Sequence, residues 1–197
     1  MKKEKQLIMK NLKKKALVTG AAIVVSLTMV TGVSADTQSN DVDIEIEGGE
    51  VSLETSAIET FGTIVLEATP QTYETSFEND FTVTDLSGTH EGWRVDVSAS
   101  HFLNGEDILP EGSLSLDPVS NIERVGTGYG SLPVKSMETN TIIDSGTNTV
   151  VEAEEGSGMG VFDITFPTDA LSLTVDATIA KAGEYESTLT WDLISAP

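Results

Sequence analysis

The 197-residue sequence contains no cysteine, which excludes disulfide bonds and attachment of a lipid through a cysteine side chain. Histidine is nearly as scarce, with only His90 and His101. These two flank a predicted strand, and at ~3.3 Å per residue they would lie ~36 Å apart, too far to share a metal ion. No Gly-x-Ser-x-Gly motif is present either. We therefore expect a protein that is not an enzyme.

Positive charge is scarce and unevenly placed. Seven of the 11 Lys and Arg residues lie within residues 1–35, whereas only one of the 32 Asp and Glu residues does. The remaining chain has four cations and 31 anions, which gives it a formal charge of −27. The four cations are Arg94, Arg124, Lys135 and Lys181. So acidic a protein is repelled by nucleic acid and by anionic lipid, and we expect neither as a partner.

The first 35 residues have the pattern of a secretory signal peptide. A lysine-rich stretch precedes an apolar run from Ala16 to Val30, and Val33-Ser34-Ala35 supplies small residues suited to cleavage. The apolar run is shorter than the ~20 residues that a membrane span needs. We therefore predict a signal peptide over residues 1–35, cleavage after Ala35 and no membrane insertion thereafter. Residues 36–41 are expected to form a flexible mature N-terminus.

Helical periodicity is absent beyond Asp36, and apolar and polar residues alternate instead. This two-residue period, rich in Val, Ile, Thr and aromatic residues, predicts β-strands. The alternating segments are 41–47, 81–84, 93–99, 171–179 and 189–193. Two denser apolar runs, 64–66 and 159–166, are expected to be central strands covered on both faces. We predict that residues 42–197 form one all-β domain, an antiparallel-rich β-sandwich or barrel-like fold with long loops.

The segment from Asn121 to Gly158 is rich in Gly, Ser, Thr and Asn, and it predicts long loops around weaker strands near 141–143 and 149–151. Its stretch 126–130, Gly-Thr-Gly-Tyr-Gly, faintly resembles a phosphate-binding loop but lacks the lysine and the following helix. The carboxylates of 41–47 form a row rather than a calcium-binding loop, which favours a charged, solvated edge strand. We therefore expect no metal and no cofactor.

Both tryptophans lie in alternating segments with an aliphatic residue two positions later. Trp93 precedes Val95, and Trp191 precedes Leu193. A tryptophan that faces inward in a sandwich belongs to the core, whereas one that faces outward offers a flat apolar surface for stacking on a sugar ring. The sequence leaves both alternatives open. The last strand is expected to bring Trp191 near Trp93, with Arg94 and Asp192 able to pair on the opposite face.

These segments resemble the two motifs of the WxL family of Gram-positive cell-surface proteins, and the likeness spans nearly all of residues 40–197. The proximal motif consists of 80–85, 87–89 and Gly92-Trp93-Arg94-Val95. The distal motif consists of 182–185, 188–193 and 196–197. One departure is Val95, which stands where leucine would match the family name.

The resemblance implies a secreted, non-enzymatic protein held non-covalently on peptidoglycan, in the cell wall or at the cell surface of a Gram-positive bacterium. It implies other WxL proteins and a membrane-anchored companion protein as further partners. By this resemblance, Trp93, Val95, Trp191 and Leu193 are the candidate wall-binding residues. The sequence has no Leu-Pro-x-Thr-Gly sorting signal, which agrees with retention by the folded domain.

Two other functions remain as alternatives. The first is a subunit or adhesin of a cell-surface complex whose main partner is another protein, with the loops of 121–158 as its contact surface. The second is a secreted enzyme that acts on polysaccharides, whose turnover would depend on one or two carboxylates. Binding to purified wall in the absence of other proteins separates the wall-binding module from the subunit.

Overall fold

The structure is a computed structural model, and it describes residues 38–195. The predicted signal peptide, residues 1–35, lies outside the described residues, as do residues 196–197 of the distal motif. The chain divides into two units. The described residues of the first unit, 38–43, are exposed and form no strand. The second unit begins at Ile44 and holds every strand of the described residues.

The described residues contain fourteen strands and no helix, which confirms the all-β prediction. The first seven strands are β1 Val51–Glu54, β2 Gln71–Thr75, β3 Phe81–Asp85, β4 Trp93–Ala99, β5 Leu103–Asn104, β6 Asp107–Ile108 and β7 Leu114–Leu116. The remaining strands are β8 Asn121–Arg124, β9 Val134–Lys135, β10 Thr141–Ile142, β11 Asn148–Ala153, β12 Gly160–Thr165, β13 Leu171–Val175 and β14 Leu189–Ser195.

The strands form three four-stranded sheets and one hairpin, and all the pairings between them are antiparallel. The first sheet has the order β1-β3-β12-β8, the second β10-β7-β13-β2 and the third β14-β4-β11-β9. Strands β5 and β6 form the hairpin. No sheet in residues 38–195 closes on itself, so the described domain is not a barrel.

The first and third sheets face each other across a shared core. The ring of Phe81 in β3 lies 4.8 Å from the ring of Trp191 in β14, and the ring of Phe162 in β12 lies 6.3 Å from that of Trp93 in β4. Phe81, Phe162 and Trp93 are all buried. The second sheet extends this core with its buried leucines, Leu114, Leu116 and Leu171.

Two side-chain interactions help to hold the loop between β13 and β14. Asp176 accepts hydrogen bonds from the backbone N–H and the hydroxyl of Thr178, and these bonds lower the pKa of the Asp176 carboxyl. Lys181 donates a hydrogen bond to Asp107 in β6, which raises the pKa of the Lys181 ammonium. The second contact joins the loop to the β5–β6 hairpin.

Alternation located several strands correctly. The predicted segments 81–84, 93–99 and 189–193 coincide with β3, β4 and β14, and the dense run 159–166 coincides with the interior strand β12. The predicted segment 171–179 coincides with β13 but ends early, at Val175, where the Asp176 turn begins. The weaker strands expected near 141–143 and 149–151 are β10 and β11.

Two predicted strands are wrong. Residues 41–47 form no strand, and Val42, Ile44 and Ile46 are 92%, 84% and 85% exposed. The run 64–66, expected to be a covered central strand, also lies outside the strands, with Val65 72% exposed. Within the described residues neither segment pairs its backbone with a strand, although Tyr73 of β2 donates a side-chain hydrogen bond to the carbonyl oxygen of Val65. A pattern of side chains cannot supply the backbone partner that a strand requires.

Candidate functional site

Strands β4 and β14 pair over seven residues without a bulge, and this pairing places the four predicted site residues on one face of the third sheet. Leu193 lies directly opposite Val95. Trp93 lies opposite Ser195, whereas Trp191 pairs four positions further along the ladder. At ~3.3 Å per residue the two tryptophan positions are ~13 Å apart along the strands. The last strand therefore lies beside Trp93, as expected, but the two tryptophans do not face each other directly.

Trp93 and Val95 belong to the core, with exposures of 1% and 2%. The Trp93 indole N–H donates a hydrogen bond to the carbonyl oxygen of Gly158 at 3.0 Å. Strand β4 is an interior strand, with β14 on one side and β11 on the other. Since both side chains are enclosed, neither offers a surface to a polymer in this structure.

Trp191 and Leu193 are partly buried at the edge of the same sheet. The Trp191 ring packs against three phenylalanine rings, 4.8 Å from Phe81, 5.8 Å from Phe166 and 6.0 Å from Phe77. Strand β14 is the outermost strand in its sheet, so its inward side chains are covered less completely than those of β4. The two Trp-x-aliphatic motifs thus differ in burial, because β4 is an interior strand and β14 is an edge strand.

The opposite face of β4 carries a buried carboxylate. Asp96 is 5% exposed, accepts a hydrogen bond from Arg94 at 3.0 Å and accepts another from Thr149 at 2.7 Å. Asp192 lies opposite Asp96, and the residue across from Arg94 is Ile194. The pair between Arg94 and Asp192, which the alternation allowed, therefore does not form, and Arg94 pairs with Asp96 instead. Arg94 is paired within its own strand, where alternation places both side chains on one face.

A groove of about 230 Å³ lies beside β9 and the end of β11. It combines apolar side chains with carboxylates and hydroxyls, and its lining includes Leu132, Val134, Glu152, Glu154, Glu155 and Ser157. Ionised carboxylates accept hydrogen bonds from hydroxyl and amide groups, and apolar side chains can pack against the C–H face of a sugar. The groove therefore offers hydrogen-bond acceptors beside apolar side chains to a ligand that is rich in hydroxyl and amide groups.

The buried Trp93 supports one wall of this groove. Gly158, which accepts the indole hydrogen bond, directly follows Ser157, and its backbone N–H donates to the carbonyl of Ser131 at 3.5 Å. Ser131 and Ser157 also form a parallel β-bridge. A Cβ at Gly158 would lie 2.7 Å from the indole nitrogen, in a backbone conformation of φ 78°. The position of the groove wall therefore depends on the buried indole.

Tyr129 projects fully into solvent, two residues before the groove-lining Ser131. Its glycine-rich loop is tethered by Arg124, which donates hydrogen bonds to the carbonyl oxygens of Gly130 and Ser131, both at 3.5 Å, and of Met159 at 2.5 Å. The Arg124 guanidinium also lies 4.5 Å from the centre of the Phe162 ring. The loop therefore has an anchored base and an exposed aromatic tip.

Neither Tyr129 nor the groove is among the wall-binding residues predicted from the sequence, although both lie within 121–158, the loops expected to contact a protein partner. The available signal was an aromatic residue in the middle of a glycine-rich stretch, where a core role is implausible. The groove had no such signal, because its walls come from the separate segments 131–134 and 152–157. Residues 38–195 contain no group of three or more His, Asp or Glu side chains arranged to hold a metal ion. No helix within this range is long and apolar enough to cross a membrane.

A family model described as "WxL domain surface cell wall-binding" matches residues 34–197. The chain therefore belongs to the WxL family, which confirms the resemblance seen in the sequence, and it is an extracellular, cell-surface protein that binds the cell wall. No curated protein and no solved structure matches the chain.

Proposed function

We propose that this protein attaches non-covalently to peptidoglycan through its folded domain and catalyses no reaction. The observation that carries this proposal is the family match, which covers all of the described residues. The groove beside β9 supports it, because it presents hydrogen-bond acceptors and apolar side chains together. Peptidoglycan glycan strands and peptides offer the hydroxyl and amide donors that such a surface would bind.

We further propose that the contact surface comprises Tyr129 and the groove. An exposed aromatic ring can stack on a sugar, and the carboxylates beside it can accept hydrogen bonds from the polymer. Trp93 is then a positioning residue that acts through Gly158, and Val95, Trp191 and Leu193 hold the sheet that carries the groove. Direct contact between the wall and any of these four stays a prediction from the sequence.

The charge of the chain limits the mechanism. With a formal charge of −27 beyond residue 35, the protein is repelled by the anionic teichoic polymers of a Gram-positive wall. We propose that attraction comes from stacking and hydrogen bonds to uncharged parts of the wall, rather than from cations that screen or bridge the two anionic partners. Contacts of this kind depend weakly on ionic strength, unlike attraction between opposite charges.

Replacing Tyr129 by alanine should weaken binding to purified peptidoglycan about fivefold, because an aromatic contact contributes roughly 1 kcal/mol. Co-sedimentation with peptidoglycan stripped of teichoic acid measures the loss. The thermal melting curve should not change, since the ring is fully exposed. Ile179→Ala, at another exposed apolar side chain, is the control and should bind like the original protein. Undiminished binding by Tyr129→Ala would remove the loop from the contact surface.

Binding to the same peptidoglycan should survive an increase of sodium chloride from about 0.1 M to about 0.5 M, over which the Debye length falls well below ~10 Å. The measurement is co-sedimentation over a salt series at constant protein concentration. A steep decrease of the bound fraction across this range would show that charge attraction dominates. In that case the groove carboxylates would be binding a cationic part of the wall.

The second candidate function is a subunit or adhesin of a surface complex with another protein as its main partner. The observation that favours it is the exposed apolar row of Val42, Ile44 and Ile46, which a purely wall-binding domain does not require. If the unmodified protein stays in solution with purified peptidoglycan, this function becomes the leading one.

A further inference from the structure

The segment 41–47, with the sequence Asp-Val-Asp-Ile-Glu-Ile-Glu, has the side-chain pattern of a strand but no partner strand within residues 38–195. Its three apolar side chains lie on alternate positions and are each at least 84% exposed. Its four carboxylates occupy the positions between and beside them. The segment therefore carries an apolar face that would become buried if it joined a sheet.

Strand β14 offers an open sheet edge of the same length. It has seven residues, and no other edge strand of the three four-stranded sheets exceeds five. Within the described residues it pairs only with β4, in a regular register. Proteins usually protect such an edge with lysine, proline, a bulge or a very short strand, whereas β14 carries a single charge, Asp192. Its inward face has an incompletely covered apolar row, Leu189, Trp191 and Leu193.

We propose that residues 41–47 of one copy of this chain pair with the β14 edge of a second copy, as a fifth strand of the β14-β4-β11-β9 sheet. The two segments match in length, seven residues each, and in pattern, three alternate apolar residues each. In an antiparallel pairing Val42, Ile44 and Ile46 lie opposite Leu193, Trp191 and Leu189. The added strand thereby covers the exposed side of this row, and its carboxylates remain on the outer face.

This pairing is head-to-tail, because the donor segment and the acceptor edge are different surfaces of one chain. Head-to-tail contacts continue from copy to copy and produce open chains of subunits, or closed rings where the rotation between copies closes. The groove beside β9 lies at the opposite edge of the third sheet from β14, so the proposal does not depend on the proposed wall contact. Repulsion between highly acidic copies opposes the contact, and association should therefore increase with ionic strength.

The cysteine-free sequence makes disulfide trapping a direct test. The chain is secreted from a bacterial expression host so that its N-terminus is processed as in a cell. Antiparallel pairing places position 45 beside position 190, so an equimolar mixture of Glu45→Cys and Thr190→Cys should form a mixed dimer under mild oxidation. Asp43→Cys mixed with Thr190→Cys reports the parallel direction. Ser145→Cys, on an exposed loop, replaces Thr190→Cys as the control for random collision.

The pairing is supported if Thr190→Cys forms a mixed dimer with either donor variant in a yield at least tenfold above that of the Ser145→Cys control. The donor position that gives this yield shows the direction of the pairing. A yield equal to the control overturns the proposal. The double variant Glu45→Cys/Thr190→Cys adds a further check at high dilution. A disulfide within a single copy there, with no mixed dimer between copies, would mean that the segment folds onto its own β14, and it would also overturn the proposal.

Association of the unmodified chain provides an independent measurement. Sedimentation velocity at raised ionic strength should show species larger than a monomer, and Ile44→Asp should weaken this association at least tenfold. The melting curve of Ile44→Asp should match that of the original protein, since the side chain is 84% exposed. Glu45→Gln is the matched control, because it keeps the apolar row intact and should associate at least as well. If the unmodified chain stays monomeric at every ionic strength, the result contradicts the proposal.

Discussion

Replacing Trp93 by alanine should lower the free energy of unfolding by about 3–5 kcal/mol, as measured by urea denaturation. The side chain is 1% exposed and packs between the first and third sheets, so its removal leaves a large cavity. The substitution also removes the donor to the carbonyl oxygen of Gly158. An unchanged denaturation midpoint would mean that the indole is not in the core.

A pair of milder substitutions separates the positioning role of Trp93 from its packing role. Trp93→Phe keeps most of the apolar volume but loses the hydrogen bond to Gly158, so it should loosen the groove wall at a cost of about 1–2 kcal/mol. Val97→Ala lies in the same strand but has no hydrogen bond to the groove, and it should cost about 2–3 kcal/mol. If Trp93 positions the groove, the folded fraction of Trp93→Phe binds peptidoglycan more weakly, whereas that of Val97→Ala binds normally. If the two variants bind peptidoglycan with equal affinity, Trp93 contributes to core packing but does not position the groove.

The strands that were predicted well from the sequence are those in which apolar and polar residues alternate and neighbouring strands are present to pair with them. Phe81 and Val83 in β3 alternate with threonines and are buried, and β3 lies between β1 and β12. The segment 41–47 shows an equally strict alternation, yet it is exposed. The difference lies in the neighbouring backbone, which is fixed by contacts distant in sequence. Periodicity predicts which face of a strand is apolar but not whether a second strand is there to pair with it.

The burial of the two tryptophans also could not be predicted from the local sequence pattern. Their sequence contexts are nearly alike, yet Trp93 is enclosed and Trp191 is only partly buried. The depth of each side chain follows from the sheet order, with β4 inside and β14 at the edge, and no local pattern encodes this order. The groove could not be predicted from the sequence either, because a cleft between 131–134 and 152–157 exists only when β9 pairs with β11. The aromatic tip at Tyr129, by contrast, could have been selected from the sequence alone.

Replacing Gly92 by alanine should destabilise the protein more than the same change at Gly88. Both glycines have positive φ, 83° and 76°, so each substitution incurs a backbone strain of about 1–2 kcal/mol. A Cβ at Gly88 would have no atom within 4 Å, whereas one at Gly92 would lie 2.2 Å from the carbonyl oxygen of Ala153. Relieving that clash requires movement of the β11 backbone, which should add about 1–3 kcal/mol.

Urea denaturation of both variants measures this difference, since the strain common to the two cancels. Equal losses would show that β4 does not approach β11 closely at Gly92. A larger loss at Gly92 has a functional consequence, because the clash occurs where Trp93 begins β4 and pairs with Ala153. Pushing Ala153 away also displaces Glu154 and Glu155, which line the groove. Peptidoglycan binding by the folded fraction should therefore fall in Gly92→Ala and stay normal in Gly88→Ala. That result would connect Gly92, but not the other glycine of the proximal motif, to the proposed wall-binding surface through the backbone of β11.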